Sequence, residues 1–152
     1  MEYIENNNKV KGCVFCIVQE TEDSVGNLIT YRGKRAFVIL NRYPYTSGHL
    51  MVVPFEHKSN LEELDSEARA EMMELTTRCM TVLRKIYNPQ GFNIGANIGE
   101  AAGAGIKEHV HIHIVPRWAG DTNFMSAVGE TRVLPESLDS TFARVKKAFE
   151  EL

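Results

Sequence analysis

No run of apolar residues in this 152-residue chain approaches the roughly 18 that a membrane-spanning helix requires, so no membrane span is expected. The first dozen residues carry Glu2, Glu5 and a run of asparagines, without the basic start and apolar stretch of a secretory signal. A cytoplasmic protein is the expectation. Cysteine is scarce and odd in number, three in all, which excludes a disulfide-built scaffold. The net charge of −3 leaves no broad positive field for a general nucleic-acid binder. There is no internal repeat, linker or second-domain boundary. The reading is a polar lead-in over residues 1–12 followed by a single domain over 13–152.

What is present alternates strands with helices. Residues 27–31 and 35–41 are rich in Ile, Leu, Val and aromatics around Arg32-Gly33-Lys34, a hairpin pattern. A Tyr-Pro-Tyr-Thr-Ser-Gly loop over 43–48 leads to a strand from His49 to Val53. Asn60 to Leu64 suits a helical turn, and Ser66 suits the N-cap of a long helix running to about Tyr87. Its apolar stripe is Ala68, Met72, Leu75, Cys79, Val82 and Ile86. A strand is expected from Phe92 to Ile98. Trp118 to Val133 lacks any period and reads as an ordered functional loop. Pro135 then opens a final helix with Leu138, Phe142, Val145 and Phe149 on one face. Antiparallel strands with helices to one side imply an α+β domain.

Three of the five histidines stand in one row, His109, His111 and His113, each separated from the next by a β-branched apolar residue. Such alternation is a strand signal that sets the three imidazoles on one face. At about 6.6 Å between neighbours and about 13 Å between the outer two, one metal ion could not take all three. The small-residue loop Gly99 to Gly105 delivers the chain to this row, and its backbone N–H groups could cradle phosphate oxygens. Neutral imidazole can attack phosphorus while a neighbour steadies charge, so nucleotidyl or phosphoryl transfer is one reading. Zinc is the rival, because His-x-His with Cys13, Cys16 and His57 supplies enough nitrogen and sulfur donors for a tetrahedral site. Cys13-Val14-Phe15-Cys16 could also be a redox pair, although the strand that should precede such a motif is missing. Metal and catalysis are compatible if they use different ends of the row.

His109-Val110-His111-Ile112-His113-Ile114-Val115 resembles the signature of the histidine triad superfamily, three histidines alternating with apolar residues. Asn41, Gly48-His49-Leu50, Asn97 and Pro116-Arg117 stand in the family's order around it, and the likeness covers roughly residues 13–117. Residues 118–124 are similar to the branch containing fragile-histidine-triad proteins and bacterial diadenosine tetraphosphate phosphorylases.

That resemblance implies a histidine-triad-like fold: an antiparallel sheet of about five strands, one long helix and a C-terminal helix. It implies His111 as the nucleophile that takes a nucleotidyl group, with His113 and His49 at the α-phosphate. Asn41 would bind ribose hydroxyls and Asn97 a phosphate or bridging oxygen. Gly103, Ala104, Gly105 and Ile106 would form a phosphate loop, although many relatives carry a Gln, Ser or Thr there. Arg117 and the loop around Trp118 to Phe124 are candidates for the distal part of the substrate, and Trp118 is equally a candidate interface anchor. Cys13, Cys16, His57 and His109 would hold a structural zinc. The implied protein is a homodimer that cleaves a dinucleoside polyphosphate through a covalent nucleotidyl-histidine. An adenosine phosphoramidase is the second enzymatic reading, disfavoured by Pro116-Arg117, and a zinc-containing nucleotide sensor without activity is the third.

Overall fold

The computed structural model describes residues 12–121 and 136–152. A short helix, α1 (Val14–Val18), is followed by β1 (Ile29–Arg32), β2 (Ala36–Leu40) and β3 (Leu50–Pro54), then the long helix α2 (Ser66–Tyr87). β4 (Gly91–Gly95), β5 (Ile112–Arg117) and α3 (Leu138–Glu150) complete it, with 3-10 turns at Leu61–Glu63 and Glu100–Ala102. The five strands form one antiparallel sheet in the order β1-β2-β3-β5-β4. The chain is thus α+β, and among the described residues no helix is long and apolar enough to cross a membrane.

β2 and β3 are buried along their whole length, and α2 packs across β2, β3 and β5. Its buried residues are Ala68, Met72, Leu75, Thr76, Cys79, Val82 and Leu83, with Ile86 half-buried against them. The cap of α2 is Asp65 rather than Ser66: its carboxylate accepts the Ala68 N–H at 2.8 Å, a bond that the serine one residue later does not make. Asn88 ends the helix in the left-handed region, at φ 48°. The carboxylate of Glu71 accepts three backbone N–H groups of the β1–β2 turn, from Lys34, Arg35 and Ala36, and ties that hairpin to the helix.

The final helix begins at Leu138, capped by Ser137, and buries Thr141, Phe142, Val145, Ala148 and Phe149. Pro135, most of the expected 118–133 loop, and residues 1–11 lie outside the described residues. β4 stops at Gly95, short of Ile98.

The largest departure from the sequence pattern lies in the histidine row. The ladder begins only at Ile112, so His109 and His111 precede β5 instead of sitting within it. The register pairs Val52 with Ile112, which sets Pro54 opposite Val110, and proline has no N–H to continue the ladder. The Val110 N–H instead donates to the Lys58 carbonyl at 2.7 Å. Imidazole Nε2 of His109 donates to the Pro54 carbonyl at 2.8 Å. The row therefore leaves the sheet as it approaches α1, and its first imidazole is turned to a different task from its third.

Candidate functional site

Four donor atoms meet where α1 touches the lead-in to β5. Sγ of Cys13 and Sγ of Cys16 lie 3.3 and 3.6 Å from Nδ1 of His109, and Cys16 Sγ lies 3.3 Å from Nδ1 of His57. The two Nδ1 atoms are 3.3 Å apart, and all four donors lie within 4.8 Å of one another. Zinc–nitrogen and zinc–sulfur bonds of about 2.0 and 2.3 Å set the edges of a tetrahedral ligand shell at about 3.3–3.8 Å. The observed contacts fit that shell. The tautomer fits too: His109 uses Nε2–H on the Pro54 carbonyl, so Nδ1 presents its lone pair to the cluster. Burial pushes His109 down to about 4, which keeps the ring neutral as a ligand must be. Burial first, then a hydrogen bond with Cys13, pushes the Cys16 thiol up to about 12. A dication offsets that cost, since a coordinating thiol is deprotonated outright.

Two residues along, His111 carries its Nδ1 2.9 Å from the His109 carbonyl oxygen. A carbonyl only accepts, so Nδ1 bears the hydrogen and Nε2 carries the lone pair. That Nε2 has no hydrogen-bond partner among the described residues, and His111 lines a cavity of about 560 Å³. Burial lowers the pKa of His111, the bond to the His109 carbonyl offsetting part of the effect.

His49, fully buried just ahead of β3, and His113 on β5 form a relay. Tyr45 N–H donates to His49 Nδ1 at 3.2 Å, which places the His49 hydrogen on Nε2. This Nε2 lies 2.9 Å from His113 Nδ1 and donates to it. The His113 hydrogen is thereby set on its own Nε2. Burial, then the neighbouring His111, pushes His113 down to about 4. Rings of His111 and His113 are 4.8 Å apart between centroids and meet edge-to-face, with 66° between their planes.

Of the residues singled out from sequence, Asn41, Asn97, Gly103, Gly105, Ile106, His111 and His113 line this cavity. His49 does not; it stands behind His113. Ala104 does not line it either, and its N–H is spent on the Gly99 carbonyl at 3.3 Å. Amides of Gly105 and Ile106 have no acceptor among the described residues, so these two N–H groups of the loop are available to an anion. Arg117 is turned away: its guanidinium pairs with Asp121 at 2.5 Å and with Asn93 Oδ1 at 2.7 Å. Trp118 packs edge-on to Tyr87 at 6.5 Å. Neither side chain lines the cavity: Arg117 is engaged by the Asp121 carboxylate and Trp118 by the Tyr87 ring.

Sequence reasoning missed the apolar wall. Val14, Phe15 and Val18 of α1 line the cavity together with Leu28, Ile39 and Met51. Phe15 packs on the rings of His109 and His111 at 5.4 and 4.9 Å. The signal was the pair Val14-Phe15 inside the C-x-x-C, where a metal clamp alone needs no large apolar spacer.

The HIT domain profile matches residues 23–120. A Mycobacterium tuberculosis protein named AP-4-A phosphorylase is 42% identical over 127 residues, covering 84% of this chain and 65% of that protein. The chain thus spans about two thirds of the length of that curated relative. A bis(5'-nucleosyl)-tetraphosphatase [asymmetrical] of Schizosaccharomyces pombe is 30% identical over 97 residues, 64% of this chain and 53% of that one. Among solved structures, a zinc-bound histidine triad family protein from Mycobacterium smegmatis superposes with a TM-score of 0.73 at 28% identity, covering 93% of this chain and 95% of its own.

Proposed function

The chain belongs to the HIT family, and from that membership and the geometry of the site we propose that it cleaves the phosphoanhydride of a dinucleoside polyphosphate by nucleotidyl transfer to His111. One observation carries the reading. Nδ1 of His111 is committed to the His109 carbonyl, which leaves the lone pair on Nε2 of a residue that lines the cavity.

One base lies against the apolar wall of Val14, Phe15 and Val18, with its ribose at Asn41. Amides of Gly105 and Ile106, the Asn97 side chain and the Nε2–H of His113 hold oxygens of the α-phosphate. The His111 Nε2 lone pair forms the N–P bond, and the bond from that phosphorus to its bridging oxygen breaks. The electron pair departs with the leaving nucleotide. The imidazolium so formed is stabilised through its Nδ1–H on the His109 carbonyl. Orthophosphate or water then attacks the phosphorus and returns the electron pair to Nε2. The product is a nucleoside diphosphate with orthophosphate, and a nucleoside monophosphate plus one proton with water.

Cys13, Cys16, His57 and His109 would hold a structural zinc, which supplies a clamp between α1 and the lead-in to β5 and leaves no open coordination position. The functional unit is a homodimer in a reducing, cytoplasmic setting, where the cysteine pair stays available to metal.

Purified protein given diadenosine tetraphosphate tests the reading. Adenosine diphosphate formed only with orthophosphate identifies a phosphorylase, and monophosphate formed without it a hydrolase. Turnover of an adenosine phosphoramidate with no cleavage of the anhydride would replace this reading with the phosphoramidase.

A further inference from the structure

We infer that Tyr43 is the stacking platform for the second nucleoside of the substrate, the one that departs with the leaving group; this rests on the proposed reaction. Tyr43 is 81% exposed, the most exposed large hydrophobic side chain among the described residues, yet it lines the same cavity as His111 and His113. The loop that displays it is held at successive points. Tyr43 N–H donates to Asn41 Oδ1 at 2.9 Å, Pro44 is buried, and Tyr45 N–H donates to His49 Nδ1 at 3.2 Å. Thr46 Oγ1 then donates to the Pro116 carbonyl at 2.8 Å. The ring stands in solvent on a fixed backbone, so a ligand that covers it pays little ordering entropy in the loop.

The chemistry of the mouth selects the occupant. The apolar wall at α1 accommodates one base, and the phosphates lie at the histidines and the Gly105–Ile106 amides. A polyphosphate chain leaving that point passes the rim, where the Arg42 guanidinium is anchored by Nη2 on the Gly26 carbonyl at 2.9 Å and lines the cavity beside Tyr43. A cation and an exposed phenol ring on consecutive residues of the same rim match a polyanion ending in an aromatic base. A substrate with one nucleoside has nothing to place on that ring.

The experiment reads the ratio of kcat/KM for diadenosine tetraphosphate to that for adenosine 5′-tetraphosphate, which has the same phosphate chain and no second nucleoside. Stacking on one aromatic ring corresponds to about tenfold in affinity, so the ratio is expected near ten in the unmutated protein. Tyr43→Ala brings it toward one, and Tyr43→Trp keeps it. A ratio unchanged in Tyr43→Ala, or already one in the unmutated protein, overturns the inference. The same two ligands are titrated into the His111→Ala protein by calorimetry, before and after adding Tyr43→Ala. Should the unmutated protein cleave neither compound, the proposed reaction falls, and the ratio of dissociation constants still decides whether Tyr43 holds a second nucleoside.

Discussion

The carbonyl oxygen of His109 lies 2.9 Å from Nδ1 of His111, so the backbone of a metal-cluster residue fixes the tautomer of the imidazole that faces the cavity. Nδ1 of His109 itself points into the cluster with Cys13, Cys16 and His57. The four-donor cluster and the cavity-lining imidazole thus use different residues of the row and are joined through one peptide carbonyl. Anything that displaces His109 moves the hydrogen-bond acceptor of its neighbour.

His111→Ala removes the attacking lone pair without touching the four-donor cluster. Turnover of diadenosine tetraphosphate should fall by about three orders of magnitude or more, as loss of a nucleophile commonly does. Circular dichroism and zinc content should match the unmutated protein. In that protein, rapid acid-free quenching and peptide mass spectrometry should locate a nucleotidyl adduct on the peptide containing His111. Full activity in the variant would remove His111 from the nucleophile role.

His57→Ala deletes one donor of the cluster at a distance from His113 and the relay. Metal analysis after chelator-free, reducing purification should fall from near one zinc per chain to a small fraction of that. Loss of about 3 kcal/mol would lower Tm by roughly 10 °C in a chain of this size. Because Cys13 caps α1, and α1 carries Cys16 and the apolar wall at Val14 and Phe15, KM should rise more than kcat falls. Equal zinc in variant and parent would eliminate His57 as a ligand.

The relay has a pH signature. Burial pushes His113 down to about 4, whereas an unfolded histidine titrates near 6.5. Between those values the unfolded chain binds the proton and the folded chain does not. His113 therefore costs nothing above about pH 6.5, and it withdraws stability as pH falls from there toward 4. Denaturant midpoints at pH 7.5 and 5.0 should differ less in His113→Gln than in the parent. Nitrogen-15 spectra at pH 6 should show the hydrogen on Nδ1 of His111 and on Nε2 of both His49 and His113. A different tautomer at His111 would contradict the geometry.

Much of this site was legible because its chemistry is local in sequence. The alternation at 109–115 sets the histidine row on one segment, and the donor types Cys13, Cys16, His57 and His109 suffice for a zinc reading before any distance is known. What escaped depends on register and on tertiary competition. That the ladder stops short of Val110 follows from Pro54 falling opposite it, a pairing that no one strand reveals. The charge of Arg117 is visible in sequence, whereas its pairing with Asp121 emerges only from the fold. The α2 cap moved by one residue because Asp65 and Ser66 are both good caps and only the backbone angle chooses between them.

Among the described residues, edge strand β4 has a partner strand on one side only, and the exposed Ile94 lies on it. Met73 on α2 is also exposed, at 56%. An open strand edge with apolar side chains invites pairing with another chain, and natural proteins cover or charge such edges when they must stay monomeric. Here no lysine or proline lies within β4. Pairing of two β4 edges about a twofold axis would join the sheets of two copies. Light scattering on the eluting protein should give twice the chain mass of 17.2 kDa. Ile94→Lys places a charge on that edge and should shift the population toward the single-chain mass while leaving zinc content unchanged. A parent protein that runs as one chain at micromolar concentration would rule out the dimer, and a dimer untouched by Ile94→Lys would move the interface away from β4.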